Sequence, residues 1–308
     1  MKSKLVLPHS NASAFSITVS LAIIYFVWAS TYVGIAFMVE EIPPHTGSGF
    51  RFITAGILIS LIILIFKGPK ELFVNKKQIR NAMFIGFILI GLATPLIAVA
   101  AQYIGSGLIA LLVAMTPVCV AILRFLFGDR PSWKTVLGIS IGIIGVAILV
   151  RPSAGQGWYT LIPIASTIIW ATGSFWAQKI ELPKSALTTA AWQTMFGGVC
   201  AVLVGIIRGE NTLVFFQPHK LETWVAFIYI SVMGAIAYSA YAFLLDNAPI
   251  SLVATYAFVN PVVAVLLGNL LRNELITLTI LIGGIVVVLG IALVVLGETK
   301  KELIKPET

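Results

Sequence analysis

Long apolar runs separated by short polar segments occupy most of this chain. Each run is about 19 to 24 residues long, the length that a helix needs to cross the hydrocarbon core of a bilayer. In lipid only helices and closed barrels satisfy the backbone hydrogen bonds, and runs of this length indicate helices. The pattern predicts ten spans, at 16–39, 46–66, 82–101, 104–126, 132–150, 158–178, 186–207, 223–245, 250–271 and 275–296.

The boundary between the third and fourth runs is the weakest of these divisions. Only Gln102, Tyr103 and Gly105 interrupt the apolar sequence there. Because glycine tolerates the backbone angles of a tight turn, we expect two helices joined by a short turn at this point.

The composition excludes most soluble classes of protein. Of 308 residues, 59% are hydrophobic and 10% are charged, whereas a soluble domain carries about a quarter charged residues. A chain this poor in charge is not a soluble enzyme, a disordered chain or a nucleic-acid-binding domain. The two cysteines, Cys119 and Cys200, lie inside apolar runs, so no disulfide framework or thiolate metal site is expected.

The basic residues predict an orientation in the membrane. With the N-terminus inside, only Arg51, Arg151, Arg208, Lys220 and Arg272 fall outside, which leaves 15 of the 20 Lys and Arg inside. Short cytoplasmic loops collect Lys and Arg. The bias therefore predicts a multi-pass protein of the cell (inner or plasma) membrane with both termini in the cytoplasm.

Two halves of the chain repeat one another. The matched residues keep their order at offsets of 142 to 145: Trp28–Thr31 with Trp170–Gly173, Arg51 with Gln193, Pro117 with Pro261, and Gly138 and Gly145 with Gly283 and Gly290. We predict an all-α integral membrane protein of ten transmembrane helices in two five-helix repeats, 1–152 and 153–308. Because five is odd, the second repeat enters from the opposite side, and inverted repeats of this kind are typical of transporters.

Several of these residues belong to a sequence pattern that resembles that of a known family. In the first repeat they are Gly105-Ser106-Gly107 with Ala110, Pro117, Gly128-Asp129-Arg130-Pro131, Gly138 and Gly145; in the second they are Pro261, Asn273-Glu274, Gly283 and Gly290. The stretches 106–150 and 251–296 resemble the two EamA domains of the drug/metabolite transporter superfamily. The resemblance implies a ten-helix inner-membrane carrier, often an exporter of amino acids or other small metabolites. The chain departs from the pattern at Asp129, where the family commonly has Glu, and in lacking a Gly before Glu274.

Arg51 is the one cation clearly inside a predicted span, about five residues into the second helix. It either reaches back to the membrane interface along its aliphatic stem or faces a central cavity and attracts a carboxylate or phosphate on a substrate. Its repeat counterpart, Gln193, lies at matching depth on the other side, as an inverted two-fold requires.

Aromatic and small polar residues are predicted near the middle of the membrane. Trp28, Thr31 and Tyr32 share one face of the first helix, and further members are Trp170 on the sixth helix, Tyr238 on the eighth, and Tyr256 and Asn260 on the ninth. Such a surface suits an amphipathic small molecule. The alternative for each ring is helix packing or an interfacial belt.

The acidic residues all fall in predicted loops, termini or helix ends. This argues against a deeply buried carboxylate proton relay, while coupling through helix-end groups such as Asp246 or Glu274 stays open. The simpler role for these two is capping and solvation.

Pro117 and Pro261 are predicted in the middle of the fourth and ninth helices. Each removes a backbone donor and frees the carbonyl of Val113 or Ala257. We expect either hinges or static kinks whose carbonyls are satisfied by neighbours, with Thr116 and Asn260 as the nearest donors.

No phosphate-binding loop, His-Glu-x-x-His or Gly-x-Ser-x-Gly pattern is present. We therefore expect no enzyme, no cofactor and no metal. The prediction is a secondary transporter that moves a small organic metabolite, amino-acid-like or aromatic, by alternating access, and exports it. Its expected partners are that small molecule and the lipid bilayer, with homodimerisation left open and no nucleic acid.

Two other classes are the alternatives. A passive channel needs a continuous polar file, which no helix shows, and counterflow of preloaded solute separates a carrier from a pore. A membrane-embedded enzyme acting on a lipid-linked substrate needs a covalent or acid–base pair at one interface.

Overall fold

The computed structural model describes residues 13–150, 157–248, 250–253 and 255–304, and over these residues the chain is helical with no strand. The α-helices are α1 Ala14–Met38, α2 Pro44–Phe66, α3 Pro69–Leu72, α4 Lys76–Gly86, α5 Thr94–Ala100, α6 Ser106–Val113, α7 Thr116–Leu126, α8 Trp133–Leu149, α9 Leu161–Ala177, α10 Ala186–Ile207, α11 Leu221–Asn247, α12 Ile250–Val253, α13 Tyr256–Arg272 and α14 Leu278–Ile304. The predicted repeat boundary, Arg151, Lys2, Lys4 and Lys305 lie outside the described residues.

Every predicted apolar run contains a helix. Within the described ranges, eight helical segments are long and apolar enough to cross a membrane: Ala14–Met38, Pro44–Phe66, Lys76–Ala100, Ser106–Leu126, Gly157–Ala177, Ala186–Ile207, Leu221–Tyr241 and Leu278–Gly297. The apolar helices α8 and α13 are shorter. The all-helical membrane class is therefore confirmed, while the count of ten spans stays a prediction.

The division between the third and fourth runs is where the sequence predicts it. The third run is one continuous segment made of α4, a π-helical stretch at Phe87–Ala93 and α5. A turn at 101–105 follows, and α6 begins at Ser106. Gly105 has ordinary extended angles, φ −62° and ψ 146°, so the predicted need for unusual backbone freedom is wrong. Its small size matters instead, because a Cβ there would lie 2.9 Å from Glu274 Oε2.

Two helix pairs form the sides of the bundle, α2 with α10 and α8 with α14. In both pairs glycines bring the backbones into contact. A Cβ on Gly138 would lie 2.7 Å from the carbonyl oxygen of Gly290, and one on Gly49 would lie 2.7 Å from that of Gly198. Small residues permit such close approach in membranes, where helix association depends on packing.

The remaining long helices pack in a reciprocal way. The first helix, α1, packs against α11 and α13, while α9 packs against the π-helical stretch, α5 and α7. The first span of the first half therefore contacts the third and fourth spans of the second half. The first span of the second half contacts the third and fourth spans of the first half in the same way.

Contacts between loops define two ends of the bundle. We call one the Glu274 end, made of 39–43, 101–105, 208–220 and 273–277, where Arg272 Nη1 lies 2.7 Å from Glu40 Oε1. We call the other the Lys184 end, made of 67–75, 127–132 and 178–185, where Lys77 Nζ lies 3.1 Å from Glu181 Oε2.

The glycine contact between α8 and α14 leads to a stability prediction. Replacing Gly138 by Val should lower the free energy of unfolding by about 1–3 kcal/mol, because the added atoms overlap backbone atoms of α14. Gly234→Val is the matched control, since nothing lies within 4 Å of the position of its Cβ. Thermal unfolding in detergent measures both variants, and equal midpoints would contradict the close contact.

Candidate functional site

One cavity of about 910 Å³ brings together every residue that the sequence selects. Its lining includes Trp28, Thr31, Tyr32, Arg51, Trp170, Gln193, Tyr238, Tyr256 and Asn260, together with Pro117 and Pro261. These residues come from both halves of the chain. Their binding of a substrate stays a prediction.

The cavity reaches only one end of the bundle. Its lining continues through Arg124 and Gln178 to Leu182, Pro183 and the exposed Lys184. No lining residue comes from the loops of the Glu274 end over the described chain. The cavity is therefore closed at the Glu274 end and extends to the Lys184 end.

An aromatic cluster forms one wall. The ring of Trp28 on α1 contacts Tyr256 at 4.8 Å, Tyr241 at 5.1 Å and Tyr238 at 6.2 Å between centroids. Tilted and edge-to-face arrangements of this kind are favourable for aromatic pairs. The wall joins α1, α11 and α13 and presents several phenol hydroxyls near one indole.

Arg51 is the cation of the cavity interior. Its guanidinium carbon lies 4.6 Å from the ring centroid of Phe52. Within the described chain Arg51 forms no hydrogen bond or ion pair, and the cavity lining contains no Asp or Glu. An arginine in such surroundings is a ready partner for an anion.

The smaller polar residues of the cavity differ in how many hydrogen bonds they already form within the protein. Gln193 is buried on α10, and its amide forms no hydrogen bond with another described residue. The hydroxyl of Thr31 donates to the carbonyl of Trp28 at 2.6 Å. In the amide orientation that satisfies its neighbours, Asn260 Nδ2 donates to the carbonyls of Tyr25 at 3.2 Å and Tyr256 at 3.3 Å. Asn260 thus joins α1 to α13 and leaves mainly its oxygen for a ligand.

The two prolines have different local structures. Pro261 lies inside α13, as predicted. Pro117 lies near the middle of the fourth span, Ser106–Leu126, as predicted, but the helix is interrupted just before it, because α6 ends at Val113 and Pro117 lies in the first turn of α7. There its missing N–H costs nothing. Thr116 Oγ1 donates to the carbonyl of Val113 at 2.7 Å, which confirms the predicted donor.

Sequence reasoning missed the part of the site near the Lys184 end. Arg124, Lys184 and Thr189 line the cavity, yet in the sequence the two cations indicate only the topology. Arg124 Nε lies 2.9 Å from Asp129 Oδ2. Tyr241 and Ser174, by contrast, are selected by the sequence through their i+3 and i+4 spacing from Tyr238 and Trp170, and both line the cavity.

Glu274 closes the other end by binding the start of a helix. Its Oε1 accepts a hydrogen bond from the backbone N–H of Ser106 at 2.8 Å, and its Oε2 accepts one from Gly107 at 3.1 Å. The first N–H groups of a helix have no partner within the helix, and a carboxylate satisfies them well. The bond ties the end of α13 to the start of α6.

Glu210 does the same for α2. It accepts hydrogen bonds from the backbone N–H groups of His45 at 3.0 Å and Thr46 at 2.8 Å, and from the side chains of both. Burial opposes ionisation of this carboxyl, but the hydrogen bonds from His45 and Thr46 outweigh it and lower the pKa of Glu210 to about 2. The capping role predicted for helix-end acids fits this residue and Glu274.

Glu41 makes a further link at this end. It accepts hydrogen bonds from Thr223 Oγ1 at 2.7 Å and the backbone N–H of Lys220 at 2.8 Å. These bonds, that of Thr223 first, lower the pKa of Glu41. The segment after α1 is thereby attached to the start of α11.

Similarity to known proteins identifies the group to which this architecture belongs. The sequence pattern of the EamA-like transporter family matches residues 16–151 and again 157–296. The chain belongs to the EamA-like transporter family.

Relatives of similar length are transporters by name. The "uncharacterized inner membrane transporter YedA" of Escherichia coli is 32% identical over 283 residues, which cover 91% of this chain and 90% of that protein. The "uncharacterized transporter YvbV" of Bacillus subtilis is 23% identical over 286 residues, 89% of this chain and 90% of the relative. A crystal structure 18% identical in sequence aligns with a TM-score of 0.63 over 95% of this chain and 100% of that chain, which shows a shared fold. This EamA-like protein is a membrane transporter and not an enzyme.

The Glu210 cap of the EamA-like transporter predicts a dependence of stability on pH. Because the folded pKa is below the ordinary 4.5, the cap stabilises the fold fully above pH 4.5 and is lost as pH falls from 4.5 towards 2. Glu210→Gln should therefore lower the free energy of unfolding at pH 7 by about 1–2 kcal/mol, after discounting for solvent screening of a partly buried group. The difference from wild type should shrink below pH 4.5.

Thermal unfolding between pH 3 and 7 measures this difference. Glu222→Gln is the matched control, because it removes a carboxylate from the same end and Glu222 forms no hydrogen bond or ion pair with a described residue. A Glu210→Gln effect that stays constant across this range would contradict the role of the charge.

Proposed function

We propose that this EamA-like transporter is a secondary carrier for a small organic solute that bears a carboxylate and an aromatic or apolar side chain. The observation that carries the proposal is Arg51, a cation without an acidic partner in a cavity lined by aromatic rings. A desolvated guanidinium gains most from a bidentate carboxylate or phosphate. The cavity volume of about 910 Å³ falls in the range of small-molecule sites.

The aromatic wall of the cavity supports an amphipathic solute. Trp28, Tyr238 and Tyr256 offer ring faces, and Gln193 offers a side-chain amide that forms no hydrogen bond with a described residue. In this assignment Arg51 anchors the carboxylate, the aromatic residues, including Trp170 and Tyr32, pack on the remainder, and Gln193, Thr31 and Asn260 orient it.

The two matches to the family and the reciprocal packing support a pair of inverted repeats, 1–152 and 153–308. Counterpart helices pair with each other, α2 with α10 and α8 with α14. A two-fold relation produces this pattern, in which each half makes the same contacts to the other. With five spans in each half, the axis lies in the membrane plane and supports alternating access.

The state described here has its cavity extending to the Lys184 end. With that end cytoplasmic, as the basic residues predict, the solute enters from the cell interior and leaves at the Glu274 end. Export is the direction that the family resemblance implies, and the described state is the one that loads solute for export. Pro261 and the break before Pro117 are the flexible points in two helical segments that line the cavity.

Glu274 and Asp129 are proposed to exchange roles in the transport cycle. Each follows a residue in the left-handed region, Asn273 with φ 53° and Gly128 with φ 98°. Each also follows the helix that ends the fourth run of its half, α13 for Glu274 and α7 for Asp129. Glu274 binds the start of α6 here, whereas Asp129 binds Arg124. When the Glu274 end opens, the carboxylate of Asp129 takes the corresponding position at the start of the ninth run, near Ile250.

Replacing Arg51 tests the assignment of the substrate. A thermal-shift panel of amino acids and aromatic carboxylates selects the solute, since specific binding stabilises the fold. Arg51→Gln should raise the KM for that carboxylate by about 10- to 100-fold in liposome transport, because a charged hydrogen bond is lost, and Arg51→Lys should recover part of it.

The KM for the neutral amide analogue of the solute should change little in the same variant. The control variant is Arg208→Gln, which removes an exposed cation at the Glu274 end. An unchanged KM for the carboxylate in Arg51→Gln would rule out Arg51 as its anchor.

A further inference from the structure

A second concave surface lies on the outside of the bundle, away from the transport cavity. It is a groove of about 670 Å³ between the third span and α10, lined by Lys76, Ile79, Arg80, Met83, Phe84, Phe87, Phe196 and Cys200. The residues come from one face of α4 at helical spacing and from the middle of α10. None of them takes part in the transport site.

Glycines create this groove. A Cβ on Gly197 would lie 2.4 Å from the carbonyl oxygen of Gly86, and a Cβ on Gly86 would lie 2.5 Å from that of Gln193. The two helices therefore touch at the level of their backbones. The rings of Phe84, Phe87 and Phe196, which flank this contact, form the walls of the groove.

The charge in the groove is all at one end. Lys76 and Arg80 are four residues apart and share a face of α4, and neither forms a hydrogen bond or ion pair with another described residue. The neighbouring Lys77, by contrast, is paired with Glu181 at 3.1 Å. The positive end of the α4 dipole is also here, since the helix begins at Lys76. The groove thus has apolar walls along its length and two cations at one end, neither of which is paired with a described residue.

The length of the groove matches one leaflet of a bilayer. Phe87 follows Lys76 by eleven residues, about 16 Å along a helix, which is about half of a hydrocarbon core. Lys76 and Arg80 belong to the Lys184 end, because Asn81 and Lys77 next to them bind Glu181. That end is the predicted cytoplasmic side, where anionic headgroups meet basic pockets between membrane helices.

We propose that this groove binds one anionic phospholipid of the cytoplasmic leaflet. The phosphate of the headgroup pairs with Lys76 and Arg80, and the planar guanidinium of Arg80 is able to donate two hydrogen bonds to it. An acyl chain lies along Phe84, Phe87 and Phe196. Because α10 also carries Gln193 into the transport cavity, the bound lipid holds α4 against a helix of the transport site.

Lipid binding to the purified full-length protein tests the proposal. Native mass spectrometry in detergent counts bound dioleoyl phosphatidylglycerol and, in parallel, zwitterionic dioleoyl phosphatidylcholine. We expect one phosphatidylglycerol to bind at least about tenfold more tightly than phosphatidylcholine, as two cations near an interface predict. Lys76→Gln with Arg80→Gln should reduce phosphatidylglycerol binding to the phosphatidylcholine level.

The matched control is Lys67→Gln with Lys70→Gln, which removes the same charge from exposed positions at the same end. It should leave the tight site intact. Phe84→Ala, at a side chain that is 53% exposed, should weaken binding severalfold without changing the charge. Inorganic phosphate at the same concentration should not displace the lipid.

Equal binding of the two lipids, or equal losses in the two double variants, would overturn the proposal. Displacement by inorganic phosphate would identify an anion site in place of a lipid site. Retention of tight binding in the Phe84→Ala variant would show that the apolar walls do not hold the acyl chain.

Discussion

The architecture depends on one requirement, that backbone groups at helix ends find hydrogen-bond partners where water is scarce. With only 12 acidic residues, this chain uses carboxylates for that purpose at the Glu274 end. Glu274 binds the start of α6 and Glu210 the start of α2. Each bond links an element of one half to an element of the other. The same few charges therefore satisfy helix ends and close the cavity, so that opening this end requires new partners for exposed backbone groups.

The placement of the acids also determines the electrostatics of the cavity. Because the carboxylates serve helix ends, the described lining has none to neutralise Arg51. A cation in such a site favours an anionic group from the solute. The aromatic wall around Trp28 adds apolar contact and few fixed hydrogen bonds, which agrees with recognition of a small amphipathic molecule. Lys76 and Arg80, which form no ion pair with a described residue, likewise favour an anion, in this case the proposed lipid headgroup.

The sequence predicts the helices and the cavity residues well because both follow from local rules. Apolar runs of spanning length predict helices, and helical spacing places Trp28, Thr31 and Tyr32 on one face. Contacts between residues that are far apart in the sequence cannot be predicted from such local rules. Gly105 looks like a turn residue until Glu274 is seen beside it, and the sequence does not show that α6 ends completely at Val113 before Pro117. The engagement of Asn260 with α1 also depends on tertiary contacts that no local pattern contains.

The central claim is that acid–helix contacts hold the cavity closed at the Glu274 end, and accessibility of a cysteine in the cavity tests it most directly. The chain would carry Ser174→Cys, which lines the cavity, with Cys119 and Cys200 replaced by Ser, in membrane vesicles of known orientation. A membrane-impermeant maleimide should label this cysteine from the Lys184 end, and Glu274→Gln should raise labelling from the Glu274 end severalfold. Asp129→Asn and the control Glu222→Gln should not. Labelling from the Glu274 end that is already high in the parent, or that Glu274→Gln leaves unchanged, would contradict the account.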